Sequence, residues 1–452
     1  MIGYRSTRAR RSGAPVVSFD EAMLAGLAPD GGLYWPTRIA PLPLGWETAS
    51  SPAELALAVL PPYVGDEAAA AIAGGLDFAW PVSRLSDDVF LLELFRGPTA
   101  AFKDVGARSL ARAMDAALAD RGERVTVLTA TSGDTGSAVA DAFAGLERVR
   151  VAVLYPAGGV SAVQEAQLTA ARPGVRTFAV AGTFDDCQRL VKAAFADEGL
   201  RGTRLSSANS INVGRLLPQL LYYLWGTART WEASGRRQPL EIVVPSGNLG
   251  NLTAGMLAAE AGMPVAGFLA AHNRNDFFPR HLAGEADAYA FSGSVSTPSN
   301  AMDVGAPSNF ERLYEGFGDD LRSRVAAVRV DDAATFERMR LTYERHGALV
   351  CPHTAVGLEA LELHRAAARS LTGSRAGAGD ASAGAHERGR STPALVLATA
   401  HPAKFPESVL KATGVTPPVP ATLERFERMP KRVEGLAAEP AALGAALLDW
   451  TE

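Results

Sequence analysis

The sequence has few cysteines and no long apolar run, and both shortages exclude classes of protein. Its two cysteines are Cys187 and Cys351, whereas small secreted scaffolds use more of them at recognisable spacings. We therefore expect a reduced, cytoplasmic setting. No apolar run approaches the ~20 residues that a membrane-spanning helix needs, so we expect no membrane association.

A strong net charge and metal-ligand motifs are also missing. The 44 Lys and Arg residues nearly balance the 49 Asp and Glu residues, which leaves a net charge of −5. A nucleic-acid-binding surface needs an excess of positive charge, so we expect no nucleic-acid partner. The seven histidines are scattered without HxxxH or CxxC pairs, so no metal site is expected. The arginines near the start precede no apolar stretch, which argues against a secretory signal.

The pattern of apolar residues predicts an α/β protein. Short β-rich runs such as residues 125–131 alternate with amphipathic helices such as residues 105–119. Repeated strand–loop–helix units build parallel sheets covered by helices on both faces. A chain of 452 residues exceeds one core. We expect an N-terminal domain at 1–88 and α/β domains at 89–235 and 236–452, with the Gly-, Ala-, Ser- and Arg-rich stretch 372–392 as a flexible surface insertion.

Ligands of such folds bind at the carboxyl ends of strands, so the loops after strands hold the candidate site residues. The loop after residues 89–94 contains Lys103 among small and apolar residues, at a predicted helix start. Burial and a helix N-terminus both lower the pKa of an amine, which suits a lysine that reacts as a neutral amine. Taken alone, this loop favours a surface lysine beside an N-capping Asp104.

Two glycine-containing loops each precede a predicted helix. Ser132-Gly133-Asp134-Thr135-Gly136 can hold an anion such as a carboxylate on free N–H groups, or can be a capped tight turn. The loop at 247–251 lacks the Lys-Ser/Thr of a P-loop and the GxGxxG spacing, so nucleoside triphosphate binding is poorly supported. Its glycines still allow the backbone to approach a single phosphate group.

A fourth loop begins with Thr399, whose hydroxyl would lie at the end of a buried strand and could meet a neutral ring nitrogen. We expect His401 and Lys404 in the same loop to be structural or rim residues rather than catalysts. A desolvated lysine, two anion-holding helix starts and a strand-end hydroxyl are together what pyridoxal phosphate (PLP) needs with an amino-acid substrate, because PLP itself supplies the electron sink.

Longer motifs resemble the threonine synthase family in the family's order. They include Phe102-Lys103-Asp104 and lie at 4–7, 18–22, 28–34, 97–99, 102–104, 129–136, 207–212, 245–248, 299–304, 352–357 and 399–405. The departures are Leu249 in place of a phenylalanine, Cys351 where an acidic residue often stands, and the insertion at 372–392. None of them touches the lysine.

The resemblance implies the tryptophan-synthase-β-like fold of PLP enzymes (fold type II) with an N-terminal extension. Lys103 corresponds to the Schiff-base lysine, Thr399 to the hydroxyl facing the pyridine nitrogen, and Asp134 to the neighbourhood of the cofactor's 3′-oxygen. The cofactor-phosphate loop corresponds to Gly247, Asn248, Leu249, Gly250 and Asn251. The candidates for the substrate's carboxylate and phosphate are Ser132, Thr135, Asn212 and Arg215.

The implied reaction is a β,γ-replacement that converts O-phospho-L-homoserine and water to L-threonine and phosphate, the last step of threonine biosynthesis. A monomer is the expected state. The alternatives are another fold-type-II enzyme such as a threonine or serine dehydratase, a phospho-lyase that eliminates phosphate without completing water addition, and a nucleotide-binding regulatory protein that uses the loop at 247–251.

Overall fold

The computed structural model describes residues 1–375 and 392–450. Its β-strands are β1 (Tyr4–Ser6), β2 (Tyr34–Pro36), β3 (Val82–Arg84), β4 (Val89–Glu93), β5 (Val125–Ala130), β6 (Val149–Pro156), β7 (Val175–Ala181), β8 (Leu205–Ser207), β9 (Leu240–Pro245), β10 (Val265–His272), β11 (Val325–Arg329), β12 (Ala394–Ala398) and β13 (Glu434–Ala437).

The same ranges contain α-helices of very different length. They are α1 (Ala9–Ser12), α2 (Phe19–Ala25), α3 (Pro52–Val59), α4 (Pro61–Val64), α5 (Asp66–Ala73), α6 (Lys103–Arg121), α7 (Asp134–Ala142), α8 (Ala162–Thr169), α9 (Phe184–Ala196), α10 (Val213–Leu216), α11 (Leu220–Ser234), α12 (Gly250–Glu260), α13 (Phe277–Ala283), α14 (Phe310–Phe317), α15 (Leu321–Arg324), α16 (Asp332–His346), α17 (Pro352–Arg375), α18 (Pro406–Thr413), α19 (Ala421–Arg428) and α20 (Pro440–Leu448). None of them is both long and apolar enough to cross a bilayer.

Most strands belong to two sheets. The larger sheet has the order β11-β10-β9-β12-β4-β3, and the smaller has the order β13-β7-β6-β5-β8. All pairs in both sheets are parallel except β3 with β4, which is antiparallel at the edge of the larger sheet. The expected parallel sheets are thus confirmed, with one antiparallel edge. A separate antiparallel pair, β1 with β2, lies in the N-terminal region.

Helices cover both faces of the larger sheet, as strand β12 illustrates. Successive side chains of a strand point to opposite faces. Leu395 and Leu397 accordingly join the apolar cluster that contains residues of α11 and α12, whereas Val396 joins the cluster built with α17. A strand packed on both faces must be apolar throughout, which explains the continuous hydrophobic run.

The helix that starts with Lys103, α6, forms where the 3.6-residue pattern predicts it but is longer at both ends. The predicted apolar face is buried throughout and comprises Ala107, Leu110, Ala111, Met114 and Leu118. The helix ends at Gly122, whose φ of 63° is the left-handed conformation that glycine adopts most readily. Lys103 is therefore held by a rigid element rather than by a mobile loop.

In both sheets, strand pairing crosses the domain boundaries expected from the sequence. Strand β4, from the expected domain 89–235, pairs with β12 in the larger sheet. Strand β13, from the expected domain 236–452, pairs with β7 in the smaller sheet. The expected insertion begins inside α17, which continues to Arg375, so residues 372–375 are helical. The insertion's residues 376–391 lie outside the described residues.

We predict that Gly106→Ala lowers the stability of the folded chain. Alanine favours helices by about 1 kcal/mol over glycine, but a Cβ at Gly106 would lie 2.9 Å from the carbonyl oxygen of Arg215. Relieving that contact should cost about 1–3 kcal/mol, measured by urea unfolding. The control is Gly444→Ala in α20, where the nearest atom lies at an ordinary 3.5 Å. Equal changes in both variants would contradict the prediction.

Candidate active site

One cavity lies where the carboxyl ends of strands from both sheets approach each other. Loops and helix starts that follow β4, β5, β9 and β12 line it. Every site residue predicted from the sequence lines this cavity except Asn212; those that do are Lys103, Ser132, Asp134, Thr135, Arg215, Gly247, Asn248, Leu249, Gly250, Asn251 and Thr399. The structure thus brings together residues that are distant in sequence.

Lys103 is the first residue of α6, and its side chain is only 13% exposed. Its Nζ lies 3.9 Å from Oδ2 of Asp134 and 5.2 Å from the centre of the Phe102 ring. The pKa of the Lys103 amine is lowered to about 8, chiefly by burial; the negative charge of Asp134 opposes this shift, and the positive charges of Lys404 and Arg215 add to it. An amine with this pKa is partly neutral near pH 8 and can react as a nucleophile or a base.

Asp134, the first residue of α7, lies between the side chains of two lysines. Its Oδ1 accepts hydrogen bonds from Lys404 Nζ at 2.8 Å and from Gln164 Nε2 at 3.0 Å, while its Oδ2 faces Lys103. Burial alone would raise the pKa of Asp134, but the two ammonium groups hold it well below its usual value. Asp134 is therefore a permanent negative charge in the floor of the cavity.

Lys404 is a buried structural residue, one of the two roles that the sequence suggested, and not a rim residue. Its side chain is completely buried, and its Nζ donates to Asp134 at 2.8 Å and to the carbonyl oxygen of Thr99 at 3.0 Å. His401 also has a structural role, because its Nδ1 accepts a hydrogen bond from the Ala403 N–H. The only signal for Lys404 in the sequence was its place in the motif at 399–405.

The loop at 247–251 forms a cradle of backbone groups. A Cβ at Gly247 would lie 2.8 Å from Cα of Met302, so no side chain fits there. Leu249 has a φ of 62°, and α12 begins directly after it without a side-chain cap. The first N–H groups of α12 are consequently open to an anion. The side chains of Asn248 and Asn251 fix the loop by donating to Ser210 Oγ and to the Pro245 carbonyl oxygen.

Thr399 follows β12 and ties two parts of the cavity together. Its carbonyl oxygen accepts a hydrogen bond of 2.8 Å from the N–H of Phe102, the residue before Lys103. The Thr399 side chain is nearly buried and lines the cavity. The strand-end hydroxyl and the lysine therefore lie on neighbouring segments of the same wall.

Asn212 requires a correction, because its side chain stabilises the fold instead of facing the cavity. Its Nδ2 donates to the carbonyl oxygens of Met23 and Ser207, and its Oδ1 caps α10 by accepting from Gly214 N–H. Arg215 does line the cavity. Its Nε has no hydrogen-bond partner among the described residues, and burial lowers the pKa of its guanidinium to about 10.

Sequence reasoning gave no role to the turn at 299–304 or to His353, yet both close the cavity. His353 Nε2 accepts a hydrogen bond of 3.1 Å from the N–H of Ala301, which leaves Nδ1 as the protonated nitrogen. That Nδ1 is buried and has no partner among the described residues. Asn300 Nδ2 donates to Gln164 Oε1 and so connects the turn to the floor beside Asp134. Both segments belong to motifs that resemble the family's, and this resemblance was the sequence feature that could have indicated a role for them.

Profiles of three protein families match the chain. The family described as pyridoxal-phosphate dependent enzyme matches residues 79–376, the threonine synthase N terminus matches residues 3–72, and the threonine synthase C-terminal region matches residues 377–446. The threonine synthase of Haemophilus influenzae is 37% identical, covering 96% of this chain and 97% of the relative. The chain belongs to the threonine synthase family. Its activity is that of a threonine synthase, and its cofactor is PLP.

Solved structures agree with this family membership. The crystal structure of threonine synthase from Escherichia coli has a TM-score of 0.86 at 35% identity, covering 99% of this chain and 100% of that chain. The PLP-bound threonine synthase from Brucella melitensis has a TM-score of 0.84 at 35% identity, covering 99% of both chains. The expected PLP fold type II with its N-terminal extension is confirmed. The side-chain-free backbone cradle at Gly247 and the unpartnered Nδ1 of His353 fit a phosphorylated, polar cofactor.

We predict that Gly247→Ala weakens PLP binding by about tenfold or more, because the added Cβ meets main-chain atoms of Met302 and Ala301 that cannot rotate away. Titration of the chain with PLP, followed by visible absorbance, measures the affinity. The control is Gly435→Ala in β13, where a Cβ meets no atom within 4 Å. Unchanged affinity in the folded Gly247 variant would mean that the loop is only a turn.

Proposed function

We propose that the chain acts on O-phospho-L-homoserine and water to produce L-threonine and phosphate, with Lys103 as the residue that attaches the cofactor. The observation that carries this proposal is the buried Arg215 guanidinium, whose Nε has no partner in the described ranges and which lines the same cavity as Lys103. A buried cation without a full set of acceptors favours a substrate that brings its own negative charge.

PLP, when bound, supplies the electron sink that stabilises negative charge next to the substrate's reacting carbons. The N–H groups of the loop formed by Gly247, Asn248, Leu249, Gly250 and Asn251 would hold its phosphate. Thr399 would present its hydroxyl to the ring nitrogen, and Asp134 would lie on the side of the 3′-oxygen. A neutral hydroxyl gives the ring nitrogen a hydrogen bond without a charge.

Lys103 would also move protons during the reaction. Its pKa of about 8 leaves part of the amine neutral near physiological pH, and a general base works best when its pKa is close to the working pH. Once released from the cofactor, Lys103 Nζ would take the proton from the substrate's α-carbon and then pass the β-proton. The rigid start of α6 limits the amine to short movements between these carbons.

The substrate's anionic groups would be held by Arg215 and by the start of α7. Ser132 and Thr135 line the cavity there. Thr131 Oγ1 accepts hydrogen bonds from the N–H groups of Gly133 and Gly136, which leaves those of Asp134 and Thr135 at the start of α7. These two N–H groups and the two hydroxyls can bind a carboxylate, because helix N-termini attract negative charge. Arg215 would take the phosphate that leaves from the γ-carbon.

We also propose a domain division, an oligomeric state and a location for this chain. We divide it into an N-terminal domain (1–88) and α/β domains (89–235 and 236–452), with strands β4 and β13 crossing between the sheets. We further propose that the protein works as a monomer in the cytoplasm.

The proposed reaction predicts equal amounts of threonine and phosphate from O-phospho-L-homoserine. Both products should fall by roughly 10³-fold or more in Lys103→Ala, because a positioned base contributes about 10²–10⁴-fold and cofactor attachment is lost as well. Borohydride reduction and peptide mapping should find the pyridoxyl group on Lys103. The group on Lys192 or Lys404 would refute the lysine assignment, and phosphate without threonine would identify a phospho-lyase.

We also predict that Thr399→Ala retains PLP but slows turnover about tenfold or more, the effect of one lost hydrogen bond. In Thr399→Asp, the buried carboxylate should favour a protonated ring nitrogen, because opposite charges attract strongly in a poorly solvated site. The visible spectrum should then shift and transamination should increase. If the spectrum and the product ratio are unchanged in the aspartate variant, Thr399 is not the partner of the ring nitrogen, and a residue at another strand end must be.

A further inference from the structure

The buried charges of Lys103, Asp134 and Lys404 lie together at the floor of the cavity, and Asp134 is closer to Lys404 than to Lys103. Oδ1 of Asp134 receives two hydrogen bonds, from Lys404 at 2.8 Å and from Gln164 at 3.0 Å. Oδ2 of the same carboxylate faces Lys103 at 3.9 Å, beyond hydrogen-bond distance. The carboxylate is therefore bound tightly on one side and only loosely on the side of the reacting amine.

Lys404 is fixed in this position by more than the carboxylate. Its Nζ also donates to the Thr99 carbonyl oxygen at 3.0 Å, which accepts a second hydrogen bond from Gln167 Nε2 at 3.1 Å. The backbone of Lys404 is anchored as well, because its carbonyl oxygen accepts from Ser161 Oγ. With no exposure to solvent, the ammonium group has little freedom to leave Asp134.

We propose that Lys404 is a positioning residue: by holding Oδ1 of Asp134, it keeps that carboxylate from forming a full ion pair with Lys103. A lysine paired tightly with a buried carboxylate stays protonated and cannot attack a carbonyl or accept a proton. Lys404 takes up most of the attraction of Asp134, so the amine of Lys103 can lose its proton. Lys404 acts through Asp134 and has no contact with the substrate in this proposal.

The other groups around Lys103 do not provide this effect. The titratable groups that influence its Nζ are Asp134, Lys404, Arg215, Cys351 and His353. Cys351 is a buried thiol whose pKa is raised by burial, and burial lowers the pKa of His353 to about 3, so both are neutral. Arg215 repels the Lys103 ammonium but does not bind Asp134. Lys404 is thus the cation that binds Asp134 directly and competes with Lys103 for it.

The test measures the Lys103 amine itself. The full-length chain without cofactor is labelled with a trace of acetic anhydride at a series of pH values, and mass spectrometry follows the Lys103 peptide against the exposed Lys192. In Lys404→Met the midpoint of Lys103 labelling should rise by roughly one to two pH units, the usual effect of a close opposite charge. The pH midpoint of PLP attachment, followed by absorbance, should rise by the same amount.

Two further variants make the outcome decisive. Lys404→Gln carries no charge but can still donate a hydrogen bond to Asp134, so it should fold even if Lys404→Met does not. Its midpoint of Lys103 labelling should rise as in Lys404→Met. Lys411→Met removes an exposed cation on α18 and should leave the midpoint unchanged. The proposal is overturned if a folded Lys404 variant shows an unchanged or lower midpoint of Lys103 labelling, because Asp134 would then take up a proton instead. Loss of folding in both Lys404 variants also overturns it.

This inference rests on the proposed role of Lys103, but the two can fail separately. The labelling midpoint depends only on the electrostatics of the amine, whereas attachment of the cofactor to Lys103 is decided by borohydride mapping of the unmodified chain. A pyridoxyl group on another lysine together with the expected shift would leave the Lys404 contact intact and remove its catalytic meaning. A pyridoxyl group on Lys103 without a shift would remove the inference alone.

Discussion

The ion pair between Asp134 and Lys404 joins the two halves of the molecule at the point where the cavity forms. Asp134 follows β5 of the smaller sheet, and Lys404 follows β12 of the larger sheet. Each charge would cost several kcal/mol to bury alone, so the carboxyl edges of the two sheets must meet closely enough for the pair to form. The position of Lys103 between these edges depends on that meeting.

Around this pair the protein uses backbone groups and small residues rather than many charged side chains. Gly247 lies so close to Met302 that the loop at 247–251 and the turn at 299–304 fit together only without a side chain between them. The same turn binds His353 and Gln164, and Gln164 binds Asp134. The loop at 247–251 therefore packs against this turn, and hydrogen bonds continue from the turn through Gln164 to Asp134.

Two of the three departures from the family's pattern fit this arrangement. Leu249 is fully buried in the left-handed conformation before α12 and belongs to the main apolar cluster, as a phenylalanine there could. Cys351 is fully buried against Thr354, with Sγ 3.3 Å from its Oγ1. A neutral thiol adds no second carboxylate near Lys103, which leaves Asp134 as the anion that faces the amine.

The sequence by itself determined the local elements and most of the site. Continuous apolar runs, helical faces and glycine loops depend on neighbours in the chain, so the strands, the helix α6 and the glycine loop before α12 could be predicted. Only the tertiary structure decided that β4 pairs with β12, that Asn212 caps a helix, and that Lys404 is buried. Strand partners and buried charges depend on residues far away in sequence, whose approach is set by the packing of the whole chain.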